Sequence, residues 1–290
     1  STTTHPSPDV HAASTVFVLV HGAWHGSGQW AATQRALAGL GAASVAVDLP
    51  GHGFEAPLPS GYLLPGQPGL LSERSALAAV TMDDCAERVL AALRRVRHHR
   101  RVVLVAHSAG GGPASLAAER APGLVDAMVY LSAYVPAARP RFLDYIGAPE
   151  NAAPRGPDLH IGDADALGAV RINPLSPDPA YVEELRRVYY HDLAPDRFDR
   201  WRLGLTPDLP QAVPVAPVVV TRARWGRIPR TFLRCADDRA LLPAAQDLMI
   251  AEADREMPDR PFTVRDLPGG HSPFATRPRE LAAALLPCGP

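Results

Sequence analysis

Short, unbroken runs of apolar residues alternate along this chain with longer segments of mixed polarity. Unbroken runs of about five apolar residues are typical of strands buried on both faces of a parallel sheet. The segments between them read as helices, so the alternation predicts an α/β fold with a mostly parallel central sheet and helices on both faces. The predicted strands are residues 16–20, 43–48, 102–106, 126–135, 230–236 and 261–267, and the predicted helices are 31–40, 82–95, 108–120 and one beginning at 243.

The regular alternation stops between residues 137 and 229. Prolines punctuate this stretch, and only short helical pieces remain, at 180–190 and 195–203. The pattern predicts a helical lid, or cap, inserted between two strands of the sheet. We therefore divide the chain into a flexible tail (1–14), an α/β core (15–136 and 230–290) and this insertion (137–229).

Residues 50–79 form a second irregular segment, rich in Gly and Pro, near the predicted carboxyl edge of the sheet. The segment is either a disordered loop or part of the rim of a pocket. Because long loops in compact domains are often functional, we favour the rim.

The first candidate chemistry lies at the end of the strand 102–106, in the sequence VVLVAHSAGGG. The strand passes into a helix at Ser108, and Ala106 and Gly110 supply the small neighbours that so sharp a turn requires. Such a turn exposes the hydroxyl at a helix N-terminus, where backbone N–H groups stabilise negative charge. The pattern is the G-x-S-x-G nucleophile turn with alanine for its first glycine; the simplest alternative is a serine that caps the helix.

A serine nucleophile needs a base and an orienting carboxylate. Both follow in the order Ser, Asp, His that accompanies this kind of turn. His271 comes after two glycines beyond the last predicted strand, and Asp238 lies five residues before Pro243. We assign His271 as the base and Asp238 as the orienting acid, with Asp237 as the competing candidate; either aspartate could instead cap the next helix.

A third element lies where the strand 16–20 ends at His21. A histidine-glycine turn after the first long strand commonly forms one side of an oxyanion hole. We expect the backbone N–H groups of Ala23 and Ala109 to point at the same spot. His21 and His107 are expected to hold these loops through hydrogen bonds.

Aromatic residues supply the candidate substrate contacts. Trp24 follows the expected oxyanion donor, and Tyr189 and Trp201 lie in the helical pieces of the insertion. Together they would suit a fairly bulky apolar substrate, but packing of the insertion onto the core accounts for them equally well.

The chain resembles the α/β-hydrolases of the hydroxynitrile lyase and plant methylesterase branch, together with their bacterial relatives. The resemblance implies an α/β-hydrolase fold with a lid and a serine esterase mechanism without metal or organic cofactor. It also brings His191 and Asp192 near the active site, and we assign neither a catalytic role. The segments that carry it are VLVHGAWHGSGQW (18–30), VDLPGHG (47–53), VTMDDCAERV (80–89), VAHSAGGGPAS (105–115), YYHDLAPDRFDRW (189–201), RWGRIPRTFLRCADD (224–238) and LPGGHSPF (267–274).

Two positions depart from the plant lyases of this branch. The resemblance implies a threonine after the first histidine, which binds the cyanohydrin oxygen, and a lysine after the catalytic histidine, which receives cyanide. Those positions hold Gly22 and Ser272 in this chain. Without the lysine, nothing in these motifs stabilises a departing cyanide, so we expect ester hydrolysis.

The leading hypothesis is a methylesterase or carboxylesterase that cleaves a small to medium apolar ester through an acyl-enzyme. A natural-product intermediate is one candidate substrate. The alternatives are peptide or thioester hydrolysis, epoxide opening, hydroxynitrile lyase activity, and a non-catalytic ligand-binding receptor of the same fold. The serine argues against the usual epoxide hydrolases, whose nucleophile is an aspartate.

Composition limits the possible partners and compartment. With 290 residues and 47% apolar side chains, the chain suits one domain with an insertion, and a net charge of −1 gives no case for binding nucleic acid or an anionic membrane. Every basic residue is arginine, and together with the abundant Ala and Pro this suggests a GC-rich bacterial genome. Three scattered cysteines imply neither disulfides nor a zinc site.

We found no apolar run long enough to span a membrane and no export signal in residues 1–14. We therefore expect a cytoplasmic enzyme with no metal and no cofactor. Its expected partners are its substrate and, at most, a second copy of the chain in a homodimer.

Overall fold

The structure of the protein, a computed structural model, describes residues 14–99, 101–152 and 156–288. Six strands form one sheet in which every pair of neighbours runs parallel, which confirms the predicted α/β fold. Two further strands, β5 and β6, form a separate small sheet. In chain order the strands of the described residues are β1 (Thr15–Val20), β2 (Ala43–Val47), β3 (Arg101–His107), β4 (Ala127–Leu131), β5 (Ala169–Arg171), β6 (Asp208–Pro210), β7 (Arg230–Cys235) and β8 (Thr263–Leu267). The order across the large sheet is β2-β1-β3-β4-β7-β8.

The central strands are the ones with unbroken apolar sequence. Every residue of β1 and β4 is buried, as is β3 after its first residue, because the sheet is covered on both faces there. The outer strands β2 and β8 are partly exposed. The central strands therefore provide the rigid base from which the loops at their carboxyl ends project.

Helices flank this sheet. Helices α1 and α11 pack against each other, as do α2 and α3. None of the helices among the described residues is both long and apolar enough to cross a membrane. The helices are α1 (Ala31–Gly39), α2 (Met82–Val96), α3 (Gly111–Arg120), α4 (Leu143–Ile146), α5 (Ala164–Leu167), α6 (Pro179–Tyr189), α7 (Pro195–Arg202), α8 (Ala212–Val215), α9 (Pro243–Glu256), α10 (Pro273–Thr276) and α11 (Pro278–Leu285).

Strand β4 is shorter than the predicted strand 126–135. It ends at Leu131 because Ser132 adopts a positive φ of 40°, which turns the chain out of the sheet. Residues 132–135 nevertheless remain buried. Most of these residues are apolar because they are buried, although they lie outside the strand. The apolar run therefore continues past the end of β4, and the predicted strand was too long.

The insertion between β4 and β7 holds short helices, α4 to α8, and a second sheet of two antiparallel strands, β5 and β6. The expected short helical pieces at 180–190 and 195–203 correspond to α6 and α7. The small sheet was not predicted, since three-residue strands are too short for an alternating pattern to stand out. Of the predicted tail, residues 1–13 lie outside the described residues, and the domain boundaries themselves stay a prediction.

Residues 50–79 contribute to the lining of a pocket, but of a different one from the cavity at Ser108. None of them is among the described residues that line the cavity at Ser108. The segment is a series of turns that packs against the insertion: the Ser75 N–H donates to Leu167 O at 2.8 Å, and Gln67 pairs with Asn173. It forms a strap over the small sheet and lines that second pocket together with Arg171 and Asp208.

Candidate active site

The turn between β3 and α3 holds Ser108 at a φ of 51°, a backbone conformation that is strained for a residue other than glycine. The turn is tight on every side. A Cβ added at Gly110 would lie 2.4 Å from the carbonyl oxygen of His21, and one added at Gly111 would lie 2.0 Å from that of Tyr134. Small residues after Ser108 are thus a steric requirement of this turn, as the sequence pattern indicated.

Ser108 opens onto a cavity of about 360 Å³ in which several predicted site residues meet. The walls are mainly apolar, and among the described residues that line them there is no arginine and one carboxylate, that of Asp165. The predicted residues among the lining are Ala23, Trp24, Ser108, Ala109, Tyr189 and His271.

His271 is bound to Asp238 from behind. Its Nδ1 lies 2.6 Å from Asp238 Oδ2, and both side chains are buried. Because a carboxylate only accepts, Nδ1 carries the proton and Nε2 keeps a free lone pair. The imidazole is therefore set in the tautomer that a general base requires.

The two candidate aspartates are clearly separated by the structure. Asp238 is 2% exposed, and its Oδ1 accepts from the N–H groups of Ala240 and Leu241 at 2.8 and 2.9 Å. Asp237 is exposed and accepts from the Gly269 N–H at 3.2 Å. Only Asp238 contacts the imidazole of His271.

Ser132 is a site residue that sequence reasoning missed. Its hydroxyl donates to the same carboxylate oxygen of Asp238 that binds His271. No local motif marks this serine, since its position follows from the turn that ends β4. It helps to fix the carboxylate and to compensate its burial.

Three contacts hold the loop that carries His271. The His107 ring donates from Nε2 to the His271 carbonyl oxygen at 2.8 Å, as expected for a histidine that ties loops together. Asp192 accepts from the Gly270 N–H at 3.0 Å, and the Ser272 hydroxyl donates to Tyr189 O at 2.7 Å. These residues position the loop, and Ser272 is turned toward the backbone.

The first turn of the chain after β1 lies beside Ser108. A Cβ added at Gly22 would be 3.0 Å from Ser108 Cβ, so this position is tight for any side chain. His21 binds the Gly22 carbonyl oxygen through Nδ1 at 2.7 Å and accepts from the Leu49 N–H at 3.0 Å. The loop is thereby held beside Ser108, and Ala23 and Ala109 both line the same cavity.

The aromatic candidates divide into two groups. Trp24 and Tyr189 line the cavity, with ring centroids 5.8 Å apart. Trp201 is not among the described lining residues; helix α7 directs it against Tyr190 and Phe274, each about 6.1 Å away. For Trp201 this arrangement agrees with packing, the alternative that the sequence left open.

Among the described residues, no group of His, Cys, Asp and Glu side chains is arranged to hold a metal ion. His271 bonds to Asp238, and the other histidines near Ser108 bond to backbone or to tyrosine. His25, for example, donates from Nδ1 to Ala23 O at 2.7 Å and lies 2.5 Å from Tyr190 Oη.

Comparisons with known proteins agree with this geometry. Residues 17–284 match the alpha/beta hydrolase family. A putative chloroplastic methylesterase 12 of Arabidopsis thaliana is 24% identical over 278 residues, covering 93% of this chain and 70% of that protein. A pyrethroid hydrolase of Sphingobium wenxiniae is 27% identical over 278 residues, covering 93% of this chain and 86% of that protein.

Solved structures share the same architecture. A crystal structure of a pyrethroid hydrolase has a TM-score of 0.69 at 25% identity, covering 94% of this chain and 96% of that one. Polyneuridine aldehyde esterase has a TM-score of 0.70 at 21% identity, covering 94% and 98%, and this likeness concerns the fold alone.

The buried histidines around the site make stability depend on pH. Burial lowers the pKa of His25 and of His52 to about 4, and lowers that of His21 and His107 well below the usual range. An unfolded histidine titrates near 6.5, so between pH 6.5 and 4 the unfolded chain binds more protons. We therefore expect the free energy of unfolding to decrease as the pH is lowered from 6.5 to 4, by about 3 kcal/mol for each of His25 and His52.

Urea unfolding at pH 7, 6, 5 and 4.5 measures this effect. His52→Gln should make the dependence on pH shallower, whereas His98→Gln, at an exposed histidine, should leave it unchanged. A stability that is the same in wild type and His52→Gln at every pH would contradict the prediction.

Proposed function

The chain belongs to the alpha/beta hydrolase family, and we propose that it is a serine esterase in which Ser108, His271 and Asp238 form the catalytic triad. The observation that carries the proposal is the buried bond between His271 Nδ1 and Asp238, behind a cavity that Ser108 and His271 both line. Relatives named as methylesterases and as a pyrethroid hydrolase support ester cleavage as the reaction.

The mechanism follows from the chemistry of these groups. His271 Nε2 accepts the proton of the Ser108 hydroxyl as the oxygen attacks the ester carbonyl, and Asp238 stabilises the resulting imidazolium. The N–H groups of Ala23 and Ala109 donate to the oxyanion. The alcohol leaves with the proton from His271, and water then attacks the acyl-enzyme by the same steps in reverse.

Two features support Ala23 and Ala109 as the oxyanion donors. Ala109 lies in the first turn of the helical segment that starts at Ser108, where N–H groups have no acceptor in a preceding turn. Ala23 follows Gly22, whose missing side chain lets the loop approach Ser108. The donors act in a buried cavity, where a hydrogen bond to a developing charge is strongest.

The cavity favours neutral substrates of small to medium size. Its volume of about 360 Å³ lies near the lower end of common ligand pockets. Its apolar walls suit an uncharged acyl or alcohol group, and Asp165 is the one carboxylate among the described lining residues. A methyl ester is the simplest such substrate, and a natural-product ester of this size would also fit.

The lyase alternative receives less support. Cyanide release needs a cation at the leaving-group position, and no arginine is among the described lining residues. Ser272, at the position of the lyase lysine, is buried and donates to the Tyr189 carbonyl oxygen. Gly22 carries no hydroxyl for a cyanohydrin oxygen.

Replacement of the nucleophile is the first test. Ser108→Ala should lower kcat on a p-nitrophenyl ester by about 10⁴-fold or more with the fold retained, because no other group supplies the attacking oxygen. A fluorophosphonate should add one label to the wild type and none to the variant, as measured by intact mass. Ser72→Ala, at an exposed serine, is the control. An unlabelled wild type that binds esters without cleaving them would favour the receptor alternative.

The orienting acid is tested by a matched pair. Asp238→Asn should lower kcat by about 10⁴-fold, since an amide favours the wrong tautomer of His271 and does not stabilise its charge. Asp237→Asn, at the exposed neighbour, should leave kcat nearly unchanged. The reverse pattern would move the role to Asp237.

Substrate charge is tested by two methyl esters of nearly the same shape. Methyl 4-carbamoylphenylacetate should have a kcat/KM at least about tenfold higher than methyl 4-carboxyphenylacetate, because the carboxylate would lose hydration without gaining a cation. Asp165→Asn should narrow the difference by removing a like charge. Equal rates on both esters would contradict the proposed selectivity.

A further inference from the structure

Trp24 has an unusual backbone conformation for its size. Its φ is 64°, and its side chain is 5% exposed. A bulky residue in the left-handed region is strained and persists only where its surroundings hold it there. It also directly follows Ala23, the proposed oxyanion donor, so its conformation bears on where that donor points.

Two segments of the insertion hold Trp24, one at its side chain and the other at its backbone. Its ring Nε1–H donates to Val170 O in β5 at 3.0 Å. Its own carbonyl oxygen accepts from the Thr206 N–H, two residues before β6, at 2.9 Å. The side chain of Trp24 is therefore attached to β5, and its backbone is attached to the segment that leads into β6.

The neighbouring peptide is fixed as well. His25 Nδ1 donates to the Ala23 carbonyl oxygen at 2.7 Å, and His25 Nε2 accepts from the Tyr190 hydroxyl at 2.5 Å. With the ring of Trp24 held by β5 and its carbonyl group held by Thr206, the peptide group between Ala23 and Trp24 has little freedom to rotate.

The Ala23 N–H lies in the preceding peptide group, whose Gly22 carbonyl oxygen is bound by His21 Nδ1 at 2.7 Å and by the His25 N–H at 3.4 Å. Both peptide groups that flank Ala23 are therefore held.

A buried ion pair joins the two strands at this point. Arg171, whose side chain is fully buried, binds Asp208 through two bonds of 2.6 and 3.0 Å. Its remaining terminal nitrogen donates to the carbonyl oxygens of Leu70 and Glu73 in the strap at 2.7 and 2.9 Å. Arg171 thus fastens β5 to β6 and both to residues 50–79, one residue away from Val170.

We propose that the sheet β5–β6 acts as a clamp on the oxyanion loop, with Trp24 and Arg171 as positioning residues that set the direction of the Ala23 N–H. The inference rests on the proposed function, since it assigns the clamp to the oxyanion site of the same reaction. It gives the strap and the small sheet a role in catalysis without contact with the reacting atoms. Rate then depends on the insertion through geometry, in addition to its contribution to the cavity wall.

The test uses Trp24→Phe, which keeps an aromatic ring and removes the indole N–H. We expect kcat to fall about tenfold with KM little changed, a part of the 10²–10³-fold that loss of a whole oxyanion donor costs. The affinity for a trifluoromethyl ketone, which forms the tetrahedral adduct, should fall by a similar factor. The affinity for an uncleavable ether analogue of the substrate should not change.

Trp225→Phe is the matched control. Trp225 is also buried, and its Nε1–H donates to Tyr130 Oη at 2.8 Å in the core, but it is not among the described residues that line the cavity. The substitution Trp225→Phe should lower thermal stability and leave kcat near the wild-type value. A rise in KM alone for Trp24→Phe would identify Trp24 as a substrate contact and overturn the proposal, as would unchanged kinetics.

Arg171→Lys tests the clamp at a residue that does not line the cavity. If Trp24→Phe does not fold, this variant tests the proposal in its place. Lysine keeps the charge but loses the paired bonds to Asp208. We expect a several-fold lower kcat and weaker ketone binding at unchanged KM. Arg234→Lys is the control: it breaks a two-bond pair between Arg234 of β7 and Asp247 of α9, which is more exposed and far from the small sheet in sequence.

The two levels of proposal fail differently. A wild type that neither hydrolyses esters nor takes a fluorophosphonate label would defeat the proposed function. A wild type that is active and labelled, with kcat unchanged in both Trp24→Phe and Arg171→Lys, would defeat the clamp alone.

Discussion

The structure depends on the close approach of three backbone segments at Ser108. The loop after β1, the turn into α3 and the turn after β4 come so near that a Cβ at Gly22, Gly110 or Gly111 would lie 3.0 Å or less from a neighbouring atom. This packing holds Ser108 in its strained conformation, and the carbonyl oxygen of Ser108 accepts from the Tyr134 N–H at 3.0 Å. The strain is compensated by the buried parallel strands on which the segments rest. A nucleophile turn of this kind therefore requires the whole centre of the sheet.

The same close packing explains why one histidine among several differs from the rest. His21, His25 and His107 are buried with backbone carbonyl or tyrosine partners, and burial lowers the pKa of each. His271 is the one that bonds a carboxylate, that of Asp238, which would compensate a positive charge on the imidazole in the proposed mechanism. The neutral histidines hold neighbouring loops through hydrogen bonds. In the proposed mechanism they would also keep a competing positive charge away from the imidazole of His271.

Much of this was readable from the sequence, for a physical reason: unbroken apolar runs and small residues around Ser108 are local requirements. The sheet and the chain positions of Ser108 and His271 follow from such patterns. The choice between Asp238 and Asp237 depends on which side of a turn each carboxylate faces. The two neighbouring positions hold the same residue type, so the sequence alone cannot distinguish them. The roles of Ser132 and Trp201 depend on tertiary packing, which placed one against Asp238 and the other away from the cavity.

The insertion has two roles that fall on the same residues. Val170 and Leu209, paired across β5 and β6, both line the cavity, while the carbonyl oxygen of Val170 binds Trp24. A change of side chain at these positions alters the substrate wall and leaves the backbone bond in place. A change that shifts the strands alters the oxyanion loop as well. If the proposed clamp operates, replacing these side chains would change substrate preference and keep the oxyanion loop in place, whereas lengthening or removing the short strands would displace the loop. The buried pair of Arg171 and Asp208 joins paired positions of β5 and β6 and so holds the register of the two strands when other side chains are replaced.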